Sequence, residues 1–162
     1  MLRILRSIKE VNFDALMQLY QDNNNATGLA DPYGSSLEAA QERYQYLRDC
    51  FFTYQGAFCA AWAVGSRYFA FLRLEPYRDG YLLEGLTVPS EARNKGYATK
   101  LILAVLQDAY FPKGSKIYSH VDKKNMASLR VHEKCRFSVI SDCAALIDGS
   151  LTSKAFTLLK II

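Results

Sequence analysis

A chain of 162 residues fits one compact domain, which at this size buries roughly 70% of the surface its unfolded form exposes; a second domain of ordinary size does not fit beside it. Half of the residues are apolar and 22% are charged, which excludes general disorder. The net charge of +4 is unevenly spread: residues 91–136 carry ten basic and four acidic side chains, an excess of +6, and the rest of the chain carries −2. Such a field draws an anion (nucleic acid, a phosphorylated ligand or an acidic surface), although a solvated basic face needs no ligand.

Leu2 to Ile8 alternates apolar and polar residues and predicts a short strand. Asn12 or Asp14 caps a helix to about Asp22, with Phe13, Leu16, Met17 and Tyr20 on one stripe. Residues 23–28 and Asp31-Pro32-Tyr33-Gly34 read as loop and turn. Ser35 or Ser36 opens a second helix to about Tyr54, with Ser35-Ser36-Leu37-Glu38 resembling a capping box and Leu37, Ala40, Tyr44, Leu47 and Phe51 at helical spacing. The period then changes. Phe58 to Val64, Arg67 to Leu74 and Tyr81 to Val88 read as three strands with links short enough for an antiparallel meander. A helix follows from Gly96 to about Tyr110, ended by Pro112 and Gly114. Then come a strand from Ser115 to Val121, a short helix from Asn125 to Lys134, and a hairpin of Phe137 to Ile147 with Leu151 to Ile161. A strand–helix–strand crossover on a meander gives an α/β (α+β) domain over residues 1–162, a mixed sheet with helices on its faces.

Four cysteines, Cys50, Cys59, Cys135 and Cys143, form no C-x-x-C pair, so no metal site is expected. Cys50 and Cys59 lie in apolar surroundings and read as small hydrophobes. The first residues lack the apolar run of a signal peptide, and no segment has the length of a membrane span. The expected setting is cytoplasmic, with no membrane association.

The chemistry concentrates in two segments. In the first, the strand Leu82-Leu83-Glu84-Gly85-Leu86-Thr87-Val88 leads through Pro89 into Arg93-Asn94-Lys95-Gly96-Tyr97-Ala98, directly before an amphipathic helix. Gly96 and the small Ala98 let backbone N–H groups face outward at a helix N-terminus, whose dipole favours phosphate oxygens, and Arg93 and Lys95 add charge. A plain strand-to-helix turn would use Gly96 equally well. The chain contains neither G-x-x-x-x-G-K-[ST] nor G-x-G-x-x-G, which argues against a mononucleotide or dinucleotide loop. The second segment follows the strand ending at His120-Val121-Asp122 and runs from Asn125 through Phe137.

The two segments together resemble the GNAT superfamily of acyl-CoA-dependent N-acyltransferases. Its cofactor loop, R/Q-x-x-G-x-G/A, is matched from Arg93 to Ala98. Its second motif, N-x-x-[AS]-x-x-[LFV]-[YH]-x-x-x-G-F, is matched from Asn125 to Phe137 except at Arg136, where the family has Gly. The close matches cover residues 81–137, and the element order fits the family's fold: a mostly antiparallel sheet with splayed central strands and a C-terminal hairpin. The Gly normally adopts positive φ at a helix C-terminus, which costs Arg about 1–2 kcal/mol, so the turn is expected either strained or rebuilt.

The resemblance implies acetyl-CoA as acyl donor, with the backbone of Leu86, Thr87 and Val88 receiving the pantetheine and acetyl carbonyl. The loop Arg93, Asn94, Lys95, Gly96, Tyr97, Ala98 and Thr99 would hold the diphosphate, and Asn125 and Ser128 would contact the cofactor. It implies direct attack by a primary amine, which needs a base, an oxyanion donor and a proton for the thiolate. Glu84, the sole acid of an apolar strand, is the candidate base; its alternative is a cross-strand pair with Arg73. His132 occupies the position of the family's sulfur-protonating Tyr, and its alternative is a packed helix-face His. His120, at the end of the adjacent strand, is a second candidate for that acid, or alternatively relays the amine proton. The acceptor, a small-molecule or protein amine, would meet Tyr33, Tyr44, Tyr54, Trp62, Tyr68, Asp31, Glu38 and Glu42, as an aromatic cage or merely as core. A non-catalytic acyl-CoA sensor would use the same loop. Nucleic acid is not the expected partner, since interleaved exposed aromatics are lacking; a homodimer is left open.

Overall fold

The computed structural model describes residues 1–21, 37–107, 111–145 and 149–162. Seven strands form one sheet in the order β1 (Leu2–Leu5), β2 (Phe58–Val64), β3 (Arg67–Tyr77), β4 (Gly80–Thr87), β5 (Lys116–Asp122), β9 (Ala155–Ile161), β6 (Ser138–Ser141). All neighbouring pairs are antiparallel except β4–β5, which is parallel and joined through α3 (Tyr97–Gln107). A parallel pair requires such a crossover. Helices α1 (Phe13–Gln21) and α2 (Leu37–Asp49) cover one face; α3 and α4 (Met126–Lys134) lie on the other. Cys59, Ala61 and Phe71 face α1 and α2, whereas Phe58, Ala60, Leu72 and Leu74 face α3. Coverage on both sides explains why β2 and β3 read as near-continuous apolar runs. Leu16, Leu47, Phe51, Phe71, Leu101 and Ile102 are wholly enclosed, each contributing about 1.5–3 kcal/mol.

The boundaries depart from the sequence reading where local chemistry intervenes. Asn12 is the cap of α1, its Oδ1 accepting the Ala15 N–H at 2.9 Å, but Phe13 points outward and stacks edge-on against Tyr44. The helix expected to reach Tyr54 stops at Asp49 and is followed by a 3₁₀ turn at Phe51–Thr53; its expected capping serines lie outside the described residues. Cys59 is buried as expected, but Cys50 is exposed just past the end of α2. β3 continues through Pro76 to Tyr77. The first strand of the final hairpin breaks at Asp142–Cys143: β6 pairs with β9, while the short β7 (Ala144–Ala145) pairs with β8 (Leu151–Thr152) in a separate ladder. Thr157 Oγ1 donates to the Cys143 carbonyl at 2.7 Å and holds that break.

Two backbone features position the site. Pairing between β3 and β4 shifts register between Phe71–Thr87 and Arg73–Glu84, leaving one extra residue on β4, with Gly85 at φ +61° in the bulge. A Cβ on Gly85 would lie 2.9 Å from Arg73 Nε. At the end of α4, Arg136 has φ +63°; its N–H donates to the Glu133 carbonyl at 2.8 Å and the Phe137 N–H donates to the His132 carbonyl at 3.0 Å. This is the closure glycine usually makes, so the turn is kept and the Arg carries its strain.

Arg136→Gly is therefore expected to raise stability by about 1 kcal/mol, read as a melting temperature about 2–4 °C higher. Gly85→Ala is expected to lower stability by about 2 kcal/mol, seen as a fall of about 4–8 °C, because both the left-handed backbone and the Arg73 side chain must give way.

Candidate functional site

The parallel pairing of β4 with β5 ends at Leu83–Ser119, where Ser119 Oγ donates to the Leu83 carbonyl at 3.0 Å. β4 runs on to Thr87 and β5 to Asp122, so the two strands fork. Beyond the fork the side of β4 that faced β5 has no strand partner among the described residues, which suits an extended ligand that adds as a strand. Leu86, Thr87 and Val88, the expected pantetheine contacts, lie on this free stretch or immediately after it. Thr87 is buried, with its Oγ1 donating to the Gly85 carbonyl at 3.1 Å.

The chain then makes a 3₁₀ turn at Ser90–Ala92 and enters α3. The Arg93 N–H is already used, donating to the Ser90 carbonyl at 3.3 Å. The first helical bond of α3 runs from the Lys100 N–H to the Gly96 carbonyl at 2.9 Å, so the amides of Tyr97, Ala98 and Thr99 precede the bonded ladder and point out of the N-terminus. Asn94 (φ +59°) and Gly96 (φ +80°) turn the loop, and nothing lies within 4 Å of the place where a Gly96 Cβ would stand. Such an open, amide-lined, electropositive end fits a diphosphate. The Tyr97 ring lies 5.1 Å from that of Phe69, and Arg67 pairs with Glu91, which ties the loop to β3. Lys100 sits 4.4 Å from the Trp62 ring. The basic excess is not all at this loop: Lys113 and Lys116 lie at the far end of α3 and β5, where Lys116 pairs with Asp79, and Lys123 pairs with Asp142.

On α4, Asn125 acts as the N-cap, its Oδ1 accepting the Ser128 N–H at 3.0 Å. Its amide nitrogen is left for other partners. His132 is 2% exposed. Its Nδ1 lies 2.8 Å from the Ser128 carbonyl and 3.3 Å from Ser128 Oγ. A carbonyl only accepts, so the ring proton sits on Nδ1 and Nε2 carries a lone pair. Nε2 is buried and, among the described residues, without a partner. Burial lowers the His132 pKa against a smaller opposing effect of the Ser128 bond, so the ring is neutral at pH 7.

On the α2-side face, Glu84 pairs with Arg73 across the strands at 3.1 Å, their side chains 16% and 13% exposed. The Arg73 guanidinium lies over Tyr46 and Phe51 at 5.2 and 5.7 Å. Sequence reading missed Glu75, two residues along β3 on the same face. Burial, and then the charge of Glu84, push its pKa up to about 7 against the pull of Arg73. The sequence offered only weak notice of it, an acid inside an otherwise apolar strand. His120 is the first residue of β5 past the fork, with its ring 5.6 Å from Tyr77 and Nε2 buried without a partner among the described residues; burial, then Arg78, lower its pKa.

The aromatics read as cage or core are dispersed over the fold among the described residues. Tyr68 is buried, its hydroxyl accepting the Asn12 N–H; Trp62 packs with the α3-side core; Tyr44 packs on Phe13; Tyr54 is exposed. Tyr33 and Asp31 lie outside the described residues, and Glu38 and Glu42 are exposed on α2.

The model of the acetyltransferase (GNAT) family matches residues 13–137. Among solved structures, the ribosomal-protein-alanine N-acetyltransferase of Brucella melitensis is 17% identical with a TM-score of 0.68, 100% of this chain and 99% of that one being covered. A GNAT-family acetyltransferase of Bacillus anthracis is 16% identical with a TM-score of 0.69, covering 99% and 94%. The PaiA N-acetyltransferase of Thermoplasma acidophilum, solved in complex with coenzyme A, is 14% identical with a TM-score of 0.66, covering 100% and 99%. No curated protein matches by sequence. The forked strands, the amide-lined helix end that follows them and a family match over most of the length make this chain a member of the GNAT family of acetyltransferases.

Proposed function

We propose that the protein transfers the acetyl group of acetyl-CoA to a primary amine by direct attack within a ternary complex. The observation that carries this reading is the fork after Leu83 and Ser119, from which β4 leads through the turn at Ser90–Ala92 and the Gly96 loop to the leading amides of α3. In this reading the pantetheine lies along Leu86 to Val88, and the diphosphate lies on the amides that follow Arg93. The side chains of Arg93 and Lys95 add charge, and the amide side chain of Asn125 meets the cofactor with Ser128. A backbone N–H at Leu86 or Val88 stabilises the oxyanion. Glu84, fixed by Arg73, meets the acceptor nitrogen as base or anchor.

His132 serves the departing sulfur. In its neutral form Nε2 accepts a proton before it can give one, so it relays a proton from the attacking nitrogen to the thiolate. Keeping the ring neutral is what its burial accomplishes. The acceptor is a small-molecule or protein amine. Four free cysteines suit a reducing, cytoplasmic setting, and no helix among the described residues is long and apolar enough to cross a membrane.

A melting scan with acetyl-CoA at 100 times its dissociation constant is expected to stabilise the protein by about 2.7 kcal/mol, a rise of about 5 °C or more. Addition of an amine panel should then release free thiol. No shift at millimolar acetyl-CoA removes the transferase reading, and a shift without thiol release from any amine leaves a binding module. His132→Phe is expected to lower kcat by about 100-fold while acetyl-CoA affinity changes less than about threefold; unchanged turnover rejects the relay.

A further inference from the structure

Three charged side chains share the α2-side face of β3 and β4. Arg73 and Glu75 are two residues apart on one strand and so point the same way, and Glu84 is the cross-strand neighbour of Arg73. Arg73 gives its ion pair to Glu84, both largely enclosed. Glu75 is half-buried beside them, and among the described residues no ion pair or hydrogen bond reaches its carboxylate. Among the described residues the other titratable groups facing this cluster are the phenols of Tyr46 on α2, pushed up to about 12 chiefly by burial, of Tyr54 and of Tyr20 on α1, and the thiol of Cys59, the cross-strand neighbour of Arg73. None of these supplies a cation, and the buried Arg43 of α2 lies over the Tyr20 ring instead. One guanidinium therefore faces two carboxylates, and the enclosure is one positive charge short. A half-buried carboxylate without a countercharge has lost part of its hydration and is disfavoured as an anion. The deficit is met by a proton or by a cation from outside, and an aliphatic amine arrives as a cation.

We propose that Glu75 is the carboxylate that receives the acceptor, pairing with a primary ammonium, taking one proton from its nitrogen and passing that proton to solvent after transfer. The inference rests on the amine-acetylation reading and deepens it, leaving Glu84 as the anchor. The freed lone pair forms the N–C bond to the thioester carbonyl carbon. The C–S bond breaks with its electrons on sulfur, and the second proton of the nitrogen goes to that thiolate. Glu75 thus acts as base near neutrality, where burial and Glu84 have brought it.

The test combines a readout without turnover and one with it. The raised pKa means that the folded protein holds a proton the unfolded chain has lost, so stability falls as pH climbs towards and through 7. Glu75→Gln should melt with the parent at pH about 3.5, where Glu75 is protonated in the folded and the unfolded chain alike, and at least about 3 °C above it at pH 8. With an amine that releases thiol, kcat/KM of the parent should fall on the acid side of pH about 7, and Glu84→Gln should keep an acid limb that lies at lower pH, because the charge of Glu84 no longer raises Glu75. Glu75→Gln should lose that limb and at least about 100-fold in kcat/KM at pH 8, with its acetyl-CoA melting shift intact. Identical melting of Glu75→Gln and the parent at both pH values overturns the proposal. So does an acid limb that survives in Glu75→Gln or disappears instead in His120→Gln while thiol is released. Absence of thiol release from every amine, with the melting difference present, overturns the transferase reading and this inference with it.

Discussion

Hydrogen bonding between β4 and β5 stops at Leu83 and Ser119, and the position of every group at the site follows from that stop. Two neighbouring strands in mid-sheet ordinarily stay paired, because a buried N–H or C=O without a partner costs about as much as a lost hydrogen bond. Here the separation begins where Ser119 supplies a side-chain donor to the Leu83 carbonyl, and the extra residue at Gly85 turns β4 away while its other side stays paired with β3. The site is thus a gap in a sheet, held open by a bulge and a serine and unable to close without dismantling the register of β3.

The bulge also fixes the electrostatics. It brings Glu84 opposite Arg73 and leaves Gly85 against the guanidinium without a side chain between. Rings from α2 and the turn after it seal the guanidinium from water. A second carboxylate two residues away loses hydration there and, with charges acting over longer range than in solvent, also feels Glu84. The other face is opposite in character: the end of α3 is open around Gly96 and is steadied from its margins by the Phe69–Tyr97 stack and the Arg67–Glu91 pair.

Much of this was legible in the sequence. The change from helical to strand period at Ala57, the limits of β2, and the Gly96 loop before an apolar helix follow from local spacing, and the structure places them within a residue or two. The rest depends on register or tertiary contact. Glu75 gains its character from burial and from a neighbouring Glu84 that already holds Arg73, a pairing set by a bulge one strand away. The aromatics Tyr44, Trp62 and Tyr68 look alike in sequence, but they lie in different layers of the fold. The break at Asp142–Cys143 depends on Thr157, remote in the chain, capturing a carbonyl. Cys50 follows the last turn of α2, where a shift of a few residues in the helix end decides between core and solvent.

Arg136 shows what the second motif requires. Its backbone occupies the left-handed region and both closing hydrogen bonds of the turn are present, so the invariant at this position is a pair of torsion angles, for which glycine is merely the least costly residue. A pattern that demands glycine there reads chemistry into a geometric condition and rejects chains that meet the condition by other means. Divergence in this family can therefore pass through the turn while leaving its path unchanged, so long as the rest of the domain has stability to spare.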